Sequence, residues 1–162
     1  MQRRSFLLGS LATILFGACR SGAEDKLPPG IQPVRHSEEE WRKILTPEQF
    51  AVLRQEATEP AGSSLLNDEH REGTFVCAGC GLELFTSKMK FDSGTGWPSF
   101  FTTIPGHVGT KSDYKILVRR TEYHCIRCGG HQGHVFDDGP PPSGQRWCNN
   151  GVALKFVPGS VS

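Results

Sequence analysis

Short apolar segments between glycine- and proline-rich turns, two capped helix starts near residue 40 and a pair of C-x-x-C knuckles jointly predict the architecture. It is mainly antiparallel β, with short N-terminal helices and a structural zinc site. Nineteen Gly and eleven Pro among 162 residues favour turns between short strands over long helices. Apolar residues make up 36%, so the core is modest and a metal staple would matter. Structural zinc contributes roughly 10–16 kcal/mol of apparent folding free energy in small domains. The formal net charge is +1 with both signs interspersed, which argues against a nucleic-acid surface.

The chain divides into a leader at 1–23, a tether at 24–36 and one domain at 37–158. Arg3 and Arg4 precede the apolar run Phe6–Ala18, too short to span a ~30 Å hydrocarbon core as a helix, so export rather than a permanent anchor is expected. Arg3-Arg4-Ser5-Phe6-Leu7 is similar to the twin-arginine export motif, with Gln2 where that motif has Ser; an ordinary secretory signal is the alternative. Phe16-Gly17-Ala18-Cys19 resembles a lipobox that would lipidate Cys19. Ser21-Gly22-Ala23 offers simple cleavage instead. Either exit puts the mature chain in the bacterial periplasm or cell envelope, with Cys19 the only route to a membrane anchor.

Ser37 followed by Glu40 forms a capping-box pattern and opens a helix to Leu45. Thr46-Pro47-Glu48-Gln49 repeats that logic, with Pro at the first helical position, for a second helix to about Gln55. Thr58 to Gly73 has no sustained period and predicts a connection. Strands are expected around Thr74–Val76, Tyr114–Arg120, Glu122–Cys125 and Val152–Val157.

Cys77/Cys80 and Cys125/Cys128 offer four thiolates that close one tetrahedral sphere and leave no water to activate, so this site is structural. Two disulfides, or a redox C-x-x-C, are the alternatives in an exported protein. Cys148 remains, in Gln145-Arg146-Trp147-Cys148-Asn149-Asn150. A lone cysteine is commonly a small buried hydrophobe. Here Arg146 and Asn150, two residues to either side, share its face in an extended segment, and a nearby cation favours the thiolate. His131 and His134 supply proton donors near neutral pH; a regular strand would put them on opposite faces, and a kink at Gly133 would reunite them.

The knuckles, Lys90-Phe91-Asp92-Ser93-Gly94-Thr95-Gly96-Trp97-Pro98-Ser99-Phe100, His131-x-Gly133-His134-Val135-Phe136 and Arg146-Trp147-Cys148-x-Asn150 together resemble the MsrB methionine-R-sulfoxide reductases, from about Ser37 to Val157. The resemblance implies an MsrB-like β-fold and reduction of the R epimer of methionine sulfoxide in oxidised proteins and peptides. It makes Cys148 the nucleophile and its sulfenic acid the intermediate. His131 and His134 become donors to the sulfoxide oxygen, Asn150 orients them, Arg146 stabilises the thiolate, and Trp97, with Phe136, walls the substrate methyl. Where many relatives carry a resolving cysteine, this chain has Thr95, so a thioredoxin-like protein or small thiol must reduce the sulfenic acid directly. No organic cofactor is implied, and a monomer is the default. The rival readings are a non-catalytic zinc-ribbon module that binds protein, and a thiol–disulfide exchanger using the knuckles.

Overall fold

The computed structural model describes residues 27–115 and 118–159. The leader expected at 1–23, with Cys19, lies outside them, as does the start of the tether. Within the rest of that segment, the Val34 amide donates to the Arg127 carbonyl at 2.8 Å and the His36 ring meets Trp41 edge-on. Among the described residues no helix is long and apolar enough to cross a membrane.

Both capping boxes form. Ser37 opens α1 (Glu38–Ile44) with Glu40 closing back on it, and Thr46 with Gln49 does the same for α2 (Pro47–Gln55). The helices bury Trp41, Phe50, Val52 and Leu53 against the sheets. After a connection with a 3₁₀ turn at Leu65–Asp68, strands dominate, broken by short 3₁₀ turns at Ser87–Met89 and Gly151–Ala153: β1 (Gly73–Cys77), β2 (Glu83–Thr86), β3 (Lys90–Phe91), β4 (Ser99–Phe100), β5 (Val108–Asp113), β6 (Arg120–Cys125), β7 (His131–Phe136), β8 (Arg146–Asn149) and β9 (Leu154–Pro158). They form a three-stranded sheet, β2-β1-β9, and a six-stranded sheet, β3-β4-β8-β7-β6-β5, with every pairing antiparallel. Aromatic side chains join the two: Phe85 stacks on Phe100 at 3.9 Å between centroids, Phe75 meets Phe100 at 5.1 Å and Tyr123 meets Phe85 at 6.3 Å. Such pairs add about 0.5–1.5 kcal/mol each beyond their area burial.

One expected strand is displaced. Tyr114, Lys115, Val118 and Arg119 lie outside any strand; the strand before β6 is Val108–Asp113. Its end is chemical: the Asp113 carboxylate accepts the Lys115 amide at 2.8 Å, turning the chain away from the ladder despite the apolar residues that follow. The first two residues of the last expected strand, Val152 and Ala153, lie instead in a 3₁₀ turn, Gly151–Ala153.

The strand carrying Cys148 lies between β4 and β7, where Cys148 faces Ser99 on one side and His134 on the other. Beside it Gly133 permits a close approach: a Cβ there would lie 1.9 Å from the Cys148 carbonyl oxygen. Gly133→Ala should therefore force β7 from β8 and lower stability by about 1–3 kcal/mol. Chemical denaturation measures this, and a loss below a few tenths would contradict the packing.

Candidate active site and metal clamp

The period-two alternation of an antiparallel sheet sorts chemistry onto one face. Lys111 and Asp113 of β5, Arg120 and Glu122 of β6, His134 and Phe136 of β7, and Arg146 and Cys148 of β8 are cross-strand partners or two residues apart. His131 would fall on the opposite face but for a bulge. The register of β6 with β7 shifts between Tyr123 and His124, so that His124 pairs with His131 and Tyr123 with Gly133, leaving Gln132 as the extra residue. The irregularity expected at Gly133 falls one residue earlier, at Gln132, and the rings of His131 and His134 lie 5.5 Å apart.

A cleft of about 130 Å³ opens over this face, lined by Trp97, Arg120, His134, Phe136, Cys148 and Thr58 among others. The Trp97 indole N–H donates to the Glu59 carbonyl at 3.0 Å, which fixes the ring as a wall. Phe136 lies under the Arg146 guanidinium, 4.3 Å from the ring centroid. Arg146 is buried and donates from Nε and an Nη to both Asp138 oxygens, at 2.8 and 2.9 Å. Burial pushes the Cys148 thiol above its ordinary pKa; the nearby Arg146 charge opposes this in part.

Each histidine is held by a carboxylate that sequence patterning does not reveal. His134 Nε2 lies 2.7 Å from Asp113 Oδ2, which also accepts from Arg120 at 2.7 Å. Burial holds the His134 pKa below its usual value, against the pull of Asp113, while the Lys115 amide, His134 and Arg120 hold Asp113 well below the carboxylate range. His131 Nδ1 lies 2.7 Å from Glu122 Oε1, and Lys111 Nζ stands 3.0 Å from Glu122 Oε2. Burial acts to raise Glu122, but its bonds to His131 and Lys111 bring it below its ordinary value. Lys111 and Lys115 lower Glu56, at the end of α2, to about 2. Among the described residues, buried His131 Nε2 has no hydrogen-bond partner.

The structure brings Cys148, His134, Trp97 and Phe136 into the cleft, with Arg146 and His131 behind it; Asn150 lines it but spends its side chain elsewhere. Asn150 Oδ1 accepts the Glu59 amide at 3.0 Å and Nδ2 donates to the Gln132 carbonyl at 2.9 Å. It thereby ties the Trp97-bearing wall to β7. Glu59 in turn accepts the Gly151 and Val152 amides. Thr58, Glu59, Asp113, Arg120 and Glu122 were missed because tertiary register, not local spacing, brings them here; adjacent Glu122 and Arg120 on one strand face were the only hint.

The four knuckle sulfurs lie within 4.8 Å of one another, with Cys77–Cys128 at 3.7 Å and Cys80–Cys125 at 3.5 Å. A tetrahedron of 2.3 Å metal–thiolate bonds has edges of about 3.8 Å, so the set fits one metal ion. Each close pair takes one cysteine from each knuckle, and all five described cysteines are free thiols. The clamp joins the β1–β2 turn to the β6–β7 turn, and Arg54 of α2 covers it by donating to the Cys128 and Gly129 carbonyls at 2.9 and 3.1 Å.

A four-sulfur clamp remote from the chemistry, with a fifth thiol in an open cleft beside two carboxylate-held histidines, defines a thiol oxidoreductase on a metal-stapled β scaffold. Residues 45–158 match the SelR domain. Over 124 residues the chain is 52% identical to a peptide methionine sulfoxide reductase MsrB of Methanosarcina barkeri, covering 76% of this chain and 87% of that protein. It is 53% identical over 123 residues to the protein of the same name from Bradyrhizobium diazoefficiens (75% and 88%), and 47% identical over 129 residues to the chloroplastic peptide methionine sulfoxide reductase B2 of Arabidopsis thaliana (78% and 63%). The chain belongs to the MsrB family of peptide methionine sulfoxide reductases. That membership sets aside the non-catalytic binding module.

Metal removal follows from the clamp. Stripping the ion with a chelator under reducing conditions should unfold the domain cooperatively, and Cys125→Ser should purify with little metal and a melting transition lowered by tens of degrees. Circular dichroism with elemental analysis checks both; a metal-free protein with wild-type stability would contradict a structural clamp.

Proposed function

We propose that this chain reduces the R epimer of methionine sulfoxide in oxidised proteins through a one-cysteine cycle centred on Cys148. The observation that supports it most is the sorting of thiols: among the described residues, four are drawn into the clamp, and Cys148, the thiol outside it, faces a cleft with an aromatic wall. The substrate methyl packs against Trp97 and Phe136. As the Cys148 thiolate attacks the sulfoxide sulfur, the oxygen takes a proton from the His134/His131 pair, whose carboxylates favour the protonated imidazole; that proton is the one the Cys148 thiol released on ionising. Methionine leaves, and the oxygen remains on Cys148 as a sulfenic acid. Two equivalents of an external thiol then restore Cys148, with release of water and a disulfide. A thioredoxin-like protein or a small thiol fills this role, since Thr95 stands where a resolving cysteine would.

In this reading Arg146, fixed by Asp138, favours the thiolate against the burial that disfavours it, and Asn150 is a positioning residue acting through Glu59 and Gln132. The clamp ion is zinc, which suits four thiolates and leaves no open coordination position. The enzyme works outside the cytoplasmic membrane as a monomer, carried there by the residue 1–23 leader; cell fractionation with the mass of the mature N-terminus tests the location and separates lipidated Cys19 from cleavage after Ala23.

Turnover on the separated R and S epimers of a methionine-sulfoxide peptide tests the chemistry. The expected result is reduction of R alone, with Cys148→Ser lowering kcat by at least about a thousandfold. Equal turnover of both epimers, or an active Cys148→Ser protein, would overturn the reading.

A further inference from the structure

The cleft over Cys148 has a volume of about 130 Å³, on the scale of one side chain. A methionine sulfoxide within a polypeptide must therefore carry the rest of its chain across the neighbouring surface. Thr58 marks where one neighbour begins. It lines the cleft and also a larger hollow of about 400 Å³, walled by Ala51 and Val52 of α2, Ala57 and Pro60 of the loop after it, and Val152. Glu48, Glu59 and Ser63 complete the lining. Cleft and hollow draw on the same two segments. One is the loop at 57–60; the other gives Asn149 and Asn150 to the cleft and Val152 to the hollow. These segments are locked together. Asn150 Oδ1 accepts the Glu59 amide at 3.0 Å, and the Glu59 carboxylate accepts the Val152 amide at 3.1 Å together with that of Gly151. The hollow is thus preformed, and buried Glu59 spends its carboxylate on backbone amides.

We propose that the hollow beside Thr58 is a subsite for an apolar side chain of the substrate polypeptide, close in sequence to the methionine sulfoxide. The proposal rests on the reading of the Cys148 cleft as the place where a polypeptide's methionine sulfoxide is reduced. An extended chain advances about 3.3 Å per residue, so a residue one or two places from the sulfoxide reaches a hollow that shares a wall with the cleft. An apolar side chain gains by leaving water for these methyl- and ring-lined walls, whereas a charged one would lose hydration without finding a free partner. The other flank of the cleft is unlike this one. Beyond Trp97, which lines both, a hollow of about 270 Å³ is bordered by Asp68, His70, Lys90 and Asp92. The apolar preference therefore belongs to the Thr58 side. A polypeptide substrate is covalently obliged to cover the ground beside the cleft, which a reductant is not. The favoured clients are oxidised methionines in apolar sequence, the kind that packs a core and becomes reachable when the client protein loosens.

The test is single-turnover formation of methionine by the metal-loaded full chain without reductant, which separates substrate binding from recycling. One R-methionine-sulfoxide peptide carries leucine at the two positions on each side of the sulfoxide, a second carries serine there, and N-acetyl-R-methionine sulfoxide amide has no flanking residues. The leucine peptide should reach its half-maximal rate at about a tenfold lower concentration than the serine peptide. The limiting rates should be equal, because a contact remote from the sulfur binds ground and transition states alike. Ala51→Glu, which puts a carboxylate into the hollow, should remove that difference and leave the small substrate unchanged; Ala51→Gln replaces it if circular dichroism or metal content reveals a folding defect. Equal half-maximal concentrations for the two peptides in the wild type, or a leucine preference that survives the substitution, overturns the proposal. So does an Ala51→Glu protein slowed only in recycling by a thioredoxin-like donor, which would give the hollow to the reductant. A wild type that reduces both peptides without preference refutes the subsite alone; one that reduces none of the three substrates refutes the functional reading with it.

Discussion

The four-sulfur clamp is the constraint on which the rest of the structure depends, and Gln132 carries its influence to the chemistry. The clamp joins two sheets whose shared core is modest, at the turns between β1 and β2 and between β6 and β7. Gln132, the extra residue of the β7 bulge, is fully buried, and its side-chain amide donates to Cys77 Sγ at 3.5 Å. Its carbonyl accepts both the backbone and the side-chain N–H of Asn150, at 2.8 and 2.9 Å. Asn149 reaches Gln132 Oε1 at 3.5 Å and accepts the Tyr123 hydroxyl at 2.6 Å. The two residues after Cys148 are thus anchored to the same glutamine that leans on the clamp. The bulge that turns Gln132 inward also returns His131 to the face of His134, so one local irregularity serves both scaffold and cleft.

On that face the electrostatics are layered. Cys148 and His134 sit in the cleft, each with its charged form disfavoured by burial. Around them stand fixed charges: Arg146 with Asp138, Arg120 with Asp113, and Lys111 with Glu122. Each pair leaves one member beside a reacting group, so the field is set by groups that need not titrate. The half-exposed Lys111 is shared with Glu56, linking the end of α2 to the charge beside His131. A pair as open as Lys111–Glu56 adds little stability, and its consequence is orientation.

What was legible in the sequence follows physical range. Capping boxes are local, and both helices form where Ser37 and Thr46 predict them. Knuckle spacing is local too, and two such turns sufficed to define the clamp. Cys148, His131, His134, Trp97 and Phe136 were legible through motif resemblance, not periodicity. The misplaced strand at Tyr114–Arg120 shows apolar content overruled by one aspartate that closes a turn on the Lys115 amide. Asp113, Arg120, Glu122 and Glu59 were illegible because cross-strand register and a loop after α2 deliver them. Asn150 was legible as important, but its two hydrogen bonds to Glu59 and Gln132 give it a scaffold task that only tertiary geometry could reveal.

The central claim is that one thiol performs the reduction and carries the oxygen away from the substrate. A single-turnover reaction with R-methionine sulfoxide, run without reductant and quenched with dimedone, tests it most directly by intact and peptide mass. The account predicts one equivalent of methionine per chain, one dimedone adduct on Cys148, and no disulfide involving Cys148. Methionine formed alongside a disulfide between Cys148 and another cysteine of the chain, or with Cys148 unmodified, would contradict it.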